Sequence, residues 1–169
     1  MFLNNFRRKK ILVVHEEEDL LTIMTARLKQ NGYQMLIASD GLEGLRMAQK
    51  ERPDLIVVDV TIPRLNGFQM VQLLHMDKLL KEIPVIVVTV SRHKDEEAWW
   101  SQLGVHYLLV HPFETKVLLE KLQEALQNSP LQKSGRGSFW RLLNKEIFTI
   151  DRMFHRHAPP DPKSEGRAV

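Results

Sequence analysis

Five short apolar runs recur along the chain, and each is followed by a stretch with apolar residues at helical spacing. The runs are Ile11–Val14, Gln34–Ala38, Leu55–Val58, Val85–Val88 and Tyr107–Leu109. The first, third and fourth are continuously apolar, as strands are when a parallel sheet is covered on both faces. The helical stretches are Asp19–Gln30, Leu42–Lys50, Phe68–His75, Lys94–Leu103 and Glu114–Leu126. Leu20, Leu21, Met24 and Leu28 form one apolar stripe, and Val117, Leu118, Leu122 and Leu126 form another. Asn31-Gly32 and Gly104 supply helix stops before the second and fifth strands. This alternation predicts βα units joined by right-handed crossovers: an α/β, doubly wound, five-stranded parallel sheet with helices on both faces.

The pattern changes after Gln127. Residues 128–138, with Asn128-Ser129-Pro130 and Ser134-Gly135-Arg136-Gly137-Ser138, read as a linker. Residues 139–157 read as a basic amphipathic helix, with Phe139, Leu143, Ile147, Ile150 and Phe154 on one face. Residues 158–169, beginning Ala158-Pro159-Pro160-Asp161-Pro162, read as a disordered tail. Residues 1–9 are a basic extension, which leaves 10–127 as the domain proper.

Charge follows the same division. Residues 10–127 hold 13 Lys and Arg against 17 Asp and Glu, so the basic character comes from the two ends. The central domain therefore offers no basic surface for nucleic acid, and no helix-turn-helix pattern appears, which argues against DNA binding. No apolar run approaches the ~20 residues of a membrane span, and the amino terminus lacks the long hydrophobic stretch of a secretory signal. There is no cysteine, hence no disulfide, thiolate ligand or thiol nucleophile. A cytoplasmic location is the expectation.

Candidate chemistry lies where open α/β sheets place their ligands, at the carboxyl ends of the strands. Reading those ends gives His15-Glu16-Glu17, then Asp59, then Thr89, then His111-Pro112. Asp59 alone has a bland reading as a turn acid at a strand end. With Glu16 beside it, two acids at one rim can hold a hard cation such as Mg²⁺ through oxygen ligands. An aspartate next to such a cation can attack a phosphoryl group, with a hydroxyl and a cationic group holding the transferred oxygens.

Residues 10–127 resemble a response-regulator receiver domain. The matching pieces are Lys10-Ile11-Leu12-Val13-Val14 before an acidic cluster, Asn31-Gly32-Tyr33, Ala38-Ser39-Asp40-Gly41, Pro53-Asp54-Leu55-Ile56-Val57-Val58-Asp59, Pro63, Gly67-Phe68, Ile83-Pro84-Val85-Ile86-Val87-Val88-Thr89 and His111-Pro112-Phe113. The resemblance implies a flavodoxin-like sheet of strand order 2-1-3-4-5. It implies Asp59 as phospho-acceptor, Glu16 as a Mg²⁺ ligand, Thr61 as a ligand through its backbone carbonyl, and Thr89 as the switch hydroxyl. It further implies a histidine kinase or phosphotransfer protein as donor, a downstream protein as target, and no enzyme activity beyond self-phosphorylation and autodephosphorylation.

Three positions depart from the family pattern. His15 stands where the family has the first of two acids, His111 where it has a lysine, and Leu108 where it has an aromatic. Imidazole is shorter than a lysine chain and only partly charged near neutral pH, so His111 is expected to be a weaker cation. His15, as a further metal ligand, could also combine with Glu16, Asp59 and His111 in a centre suited to a transition metal; the plainer reading is that the histidines hydrogen-bond the carboxylates. The main expectation is a single-domain response regulator of a phosphorelay. Its alternatives are a pseudo-receiver adaptor that signals without phosphorylation and a small metal-dependent phosphohydrolase. Trp100 is expected inward with Leu103, and Trp99 near the surface, where with helix 139–157 it is a candidate partner contact. That helix could instead lie on a membrane surface or fold back on the domain.

Overall fold

The computed structural model describes residues 7–90 and 94–133. The chain divides into two units, residues 1–134 and 135–169, and every described residue belongs to the first. The expected helix at 139–157 and tail at 158–169 lie outside the described residues, as do residues 1–6 of the basic extension.

Strands and helices alternate as the apolar pattern predicts. The strands are β1 (Lys10–Val14), β2 (Gln34–Ala38), β3 (Leu55–Asp59), β4 (Val85–Thr89) and β5 (Tyr107–Val110). The helices are α1 (Glu18–Gln30), α2 (Gly41–Glu51), α3 (Gly67–Met76), α4 (Lys94–Gln102), α5 (Thr115–Asn128) and the short α6 (Pro130–Lys133). All five strands pair in parallel in the order β2-β1-β3-β4-β5. The sequence boundary at 127 is corrected here. α5 runs on to Asn128, and Ser129 and Leu131 are buried, so the first part of the expected linker is a capped helical turn. Ser129 Oγ accepts the Leu131 backbone N–H, which satisfies a donor that a polar linker would have left to water.

Strand alternation divides the core into two layers. On one face Ile11, Val13, Leu55, Val57, Ile86, Val88 and Leu109 pack with Leu21, Met24 and Leu28 of α1 and Leu118, Leu122, Ala125 and Leu126 of α5. The intervening residues Leu12, Val14, Ile56 and Val58 are fully buried on the other face. A Cβ on Gly44 of α2 would meet Val14 and the Met70 methyl of α3, which places α2 and α3 over that layer. α4 is held by aromatic contact: the Trp99 ring stacks on Phe68 at 3.7 Å between centroids, and Trp100 is buried. Trp100 therefore points inward as expected, whereas Trp99 is half-covered rather than a free surface anchor. Among the described residues no helix is long and apolar enough to cross a membrane.

The β3–α3 loop, residues 60–66, is fixed against α2. Gly41 opens α2 where the Leu65 carbonyl passes so close that any Cβ would overlap it. Asp40 caps α2 by accepting the Glu43 N–H at 2.9 Å, and its other oxygen pairs with Arg64 Nη1 at 3.0 Å. At the far end of the loop Asn66 and Gln69 form a reciprocal capping box on α3. The substitution Gly41→Ala must push the loop away, since backbone and not a flexible side chain is in the way. A loss of about 1–3 kcal/mol in urea unfolding is expected; an unchanged midpoint would show that the loop is free to move.

Candidate functional site

The register brings the predicted site strands side by side. Val14 pairs with Val58, Asp59 with Val88, and Thr89 with Val110, so the ends of β1, β3, β4 and β5 form one rim. His15 follows β1 with its N–H on the Ala38 carbonyl (3.1 Å), and His111 follows β5 with its N–H on the Thr89 carbonyl (2.8 Å). Gly67 lets the start of α3 close over the Asp59 backbone, where a Cβ would overlap the Asp59 carbonyl.

Asp59 is 8% exposed, and a carboxylate buried to that degree needs hydrogen-bond donors. Three are in place. The Thr61 backbone N–H and hydroxyl both donate to Oδ1, each at 2.6 Å. His15 Nε2 lies 3.2 Å from Oδ2. The other His15 nitrogen, Nδ1, accepts the Glu17 backbone N–H at 3.0 Å. A ring nitrogen that accepts carries no proton, so the proton sits on Nε2 and is donated to Asp59. Burial pushes the Asp59 carboxyl up, but the hydrogen bonds from His15 and Thr61 outweigh it and hold the group below its ordinary value. Asp59 is thereby an ionised acceptor at neutral pH.

The remaining predicted residues are less convergent. Glu16 is exposed beside His15. Thr89 is buried at the end of β4, next to the strand that carries Asp59. The His111 ring packs edge-on against Phe113 at 5.8 Å between centroids, whereas the histidine paired with Asp59 is His15. The transition-metal centre of His15, Glu16, Asp59 and His111 is corrected on this ground. Among the described residues no three His, Asp or Glu side chains converge as metal ligands. His15 donates a proton where a ligand would give a lone pair, so it is no ligand in this arrangement, and His111 turns to Phe113. The oxygen donors still suit a hard cation: the carboxylates of Glu16 and Asp59 and the Thr61 backbone carbonyl match Mg²⁺ in kind, with water completing the shell.

Leu108 and Tyr107 sit as strand alternation predicts. Tyr107 packs with the α1 and α5 layer, its hydroxyl accepting a hydrogen bond from Asn128 at 3.2 Å, and Leu108 points to the opposite face. Sequence reasoning missed the Thr61 hydroxyl, having assigned only the backbone of that residue. The signal was there in the Asp-x-Thr spacing, since an Asp side chain commonly bonds the backbone two residues on. The Arg64–Asp40 pair and the Phe68–Trp99 stack were also missed, because both depend on loops whose approach no local pattern encodes.

Comparison with known proteins agrees with this fold. Residues 11–123 match the family model for the response regulator receiver domain. The chain is 32% identical over 117 residues to Protein PilH of Pseudomonas aeruginosa, covering 69% of this chain and 97% of PilH. It is 33% identical over 123 residues to the alkaline phosphatase synthesis transcriptional regulatory protein PhoP of Bacillus subtilis, covering 73% of this chain and 50% of PhoP. The chain thus spans about half the length of that relative. Among solved structures, the Vibrio cholerae chemotaxis protein CheY4 superposes with a TM-score of 0.67 at 30% identity, over 70% of this chain and 99% of CheY4. The receiver domain of a P. aeruginosa sensor histidine kinase, solved with a magnesium ion coordinated in its active-site cleft, gives 0.65 at 25% identity, over 72% of this chain and 99% of that domain.

The depressed Asp59 carboxyl has a stability consequence whose sign is fixed. A group held low in the folded state stabilises the fold above its unfolded value of about 4, and that contribution is lost as pH falls through the folded value. Thr61→Val removes one donor while keeping shape, so it should cost about 1 kcal/mol at pH 7. In chemical unfolding the gap should shrink as pH falls below about 4 and through the depressed folded value. A gap independent of pH would mean that the hydroxyl does not bond the ionised carboxylate.

Proposed function

Because the chain belongs to the response regulator receiver domain family, we propose that it accepts a phosphoryl group on Asp59 and signals by binding another protein. The observation that supports this most is Asp59 itself: an ionised carboxylate at the sheet rim, oriented by Thr61 and held below its ordinary protonation range. The donor is a histidine kinase or a phosphotransfer protein. In the transfer the donor's N–P bond breaks, an O–P bond forms to a carboxylate oxygen of Asp59, and the imidazole leaves.

Each rim residue has a part. Asp59 is the nucleophile, and its ionisation removes any need for a general base. The Thr61 donors on Oδ1 fix the carboxylate's rotation, so its attacking geometry is set beforehand. Thr89 supplies the hydroxyl that meets the phosphoryl oxygens, and His111 stands in place of the family lysine. Glu16, Asp59 and the Thr61 carbonyl would hold a Mg²⁺ ion, which when bound neutralises charge on the phosphoryl oxygens. The magnesium in the related kinase receiver supports the choice of cation. The chain's own chemistry is confined to gaining and losing the phosphoryl group. The downstream partner is a protein, with the Trp99 side of α4 and residues 139–157 as its contacts, and the site of action is the cytoplasm.

A second reading, a receiver fold that signals without phosphorylation, is favoured by one observation: His15 already occupies Asp59 Oδ2. One experiment separates the two. Full chain incubated with acetyl phosphate and Mg²⁺ should gain one phosphoryl mass, mapped by peptide analysis to Asp59 and absent in Asp59→Asn. No adduct in the wild type at saturating acetyl phosphate selects the second reading. In the first, His111→Lys should also change the lifetime of the phosphorylated form; an equal lifetime would remove His111 from the mechanism.

A further inference from the structure

We propose that His15 is a built-in competitor of the divalent cation at Asp59, its Nε2–H holding one side of Oδ2 against the cation. The inference rests on the reading of Asp59 as a cation-assisted phosphoryl acceptor. It differs from the simpler idea that the site merely lacks one acidic ligand.

The geometry points to active competition. The ring is fixed at both nitrogens, by the Glu17 N–H on Nδ1 and by the Asp59 Oδ2 that Nε2 faces. It is also fixed at its backbone, whose N–H bonds Ala38. At 8% exposure His15 is packed into the rim and is not a surface side chain that happens to touch an acid. Its proton lies on the side of Asp59 that faces the end of β1, where Glu16 follows. Glu16 directly follows His15, so a cation held by Asp59 and Glu16 would lie near the ring. It would meet the positive end of an N–H dipole where a two-acid site presents a second negative charge.

The other oxygen offers no easy detour. Oδ1 already accepts two hydrogen bonds from Thr61, which commits both of its lone-pair directions. In the free protein Oδ2 is therefore the less committed oxygen, and His15 holds one of its two lone-pair directions. The imidazole N–H compensates the buried charge of Asp59, as a bound cation would in its place. His15 is thus a positioning residue that sets how much Mg²⁺ the site requires.

The distinguishing variant is His15→Ala, which removes the competitor and adds no ligand. Calorimetric titration of the full chain with Mg²⁺ should show His15→Ala binding roughly tenfold more tightly than wild type, the scale of one hydrogen bond to a charged group. His15→Asp should bind more tightly still. If His15→Ala binds no better than wild type, including the case where neither binds, the proposal fails and His15 is only an absent ligand. A measurement on the wild type guards against a variant that folds poorly. Imidazole ¹⁵N spectra should show His15 protonated on Nε2 without Mg²⁺ and a changed ring environment as Mg²⁺ saturates. A His15 spectrum indifferent to saturating Mg²⁺ overturns the inference. Phosphorylation is read in neither experiment, so failure of Asp59 to accept a phosphoryl group would strike the functional reading and leave the order of Mg²⁺ affinities to be judged separately.

Discussion

A carboxylate buried at the end of a central strand has to be compensated, and the rim of this sheet is organised by how Asp59 meets that demand. β3 lies between β1 and β4, so Asp59 is walled by neighbours on both sides. Water cannot serve it freely, and the donors must come from the adjacent loops. Thr61 supplies two from the turn that follows, and His15 supplies one from the end of β1. The β3–α3 loop can deliver Thr61 because its far side is seated on α2: the Leu65 carbonyl lies against Gly41, and Arg64 reaches Asp40. Local chain geometry, loop packing and the ionisation of one acid are thus a single chain of causes.

Most of the fold was legible in the sequence, and the reason is physical. Short, β-branched apolar runs bounded by turn residues, such as Leu55–Val58, suit strands covered on both faces, and helical stripes such as Leu21, Met24 and Leu28 suit the helices that cover them. The strand ends then follow, and with them Asp59, Thr89, His15 and His111 at one rim. What did not follow was which of these side chains meet. His15 and His111 occupy comparable places after β1 and β5, yet one ring bonds Asp59 and the other turns to Phe113. Periodicity assigns a face to a residue; it does not set a rotamer, and here two rotamers decide whether a metal centre of four side chains exists.

The same limit appears at α4. Its composition is polar apart from Ala98, Trp99 and Trp100, so the sequence offered one inward Trp and one left over. In the structure Trp99 is taken up by Phe68 at the start of α3, and Phe68 follows the glycine that closes over the Asp59 backbone. A partner contact at this surface would therefore involve a side chain already engaged near Asp59. The covered Trp99 face and the rim chemistry are neighbours through one short stretch, Gly67-Phe68.

In the proposed mechanism Asp59 accepts a phosphoryl group as His15 gives up its hold on Oδ2. A crystal structure of the full chain with beryllofluoride and Mg²⁺ tests both halves at once. The expected structure has the fluoride adduct on the Asp59 carboxylate, Mg²⁺ held with Glu16 and the Thr61 carbonyl, and the His15 ring withdrawn from Oδ2. An Asp59 carboxylate without adduct at saturating reagent, still bonded to His15 as in the free protein, would contradict it.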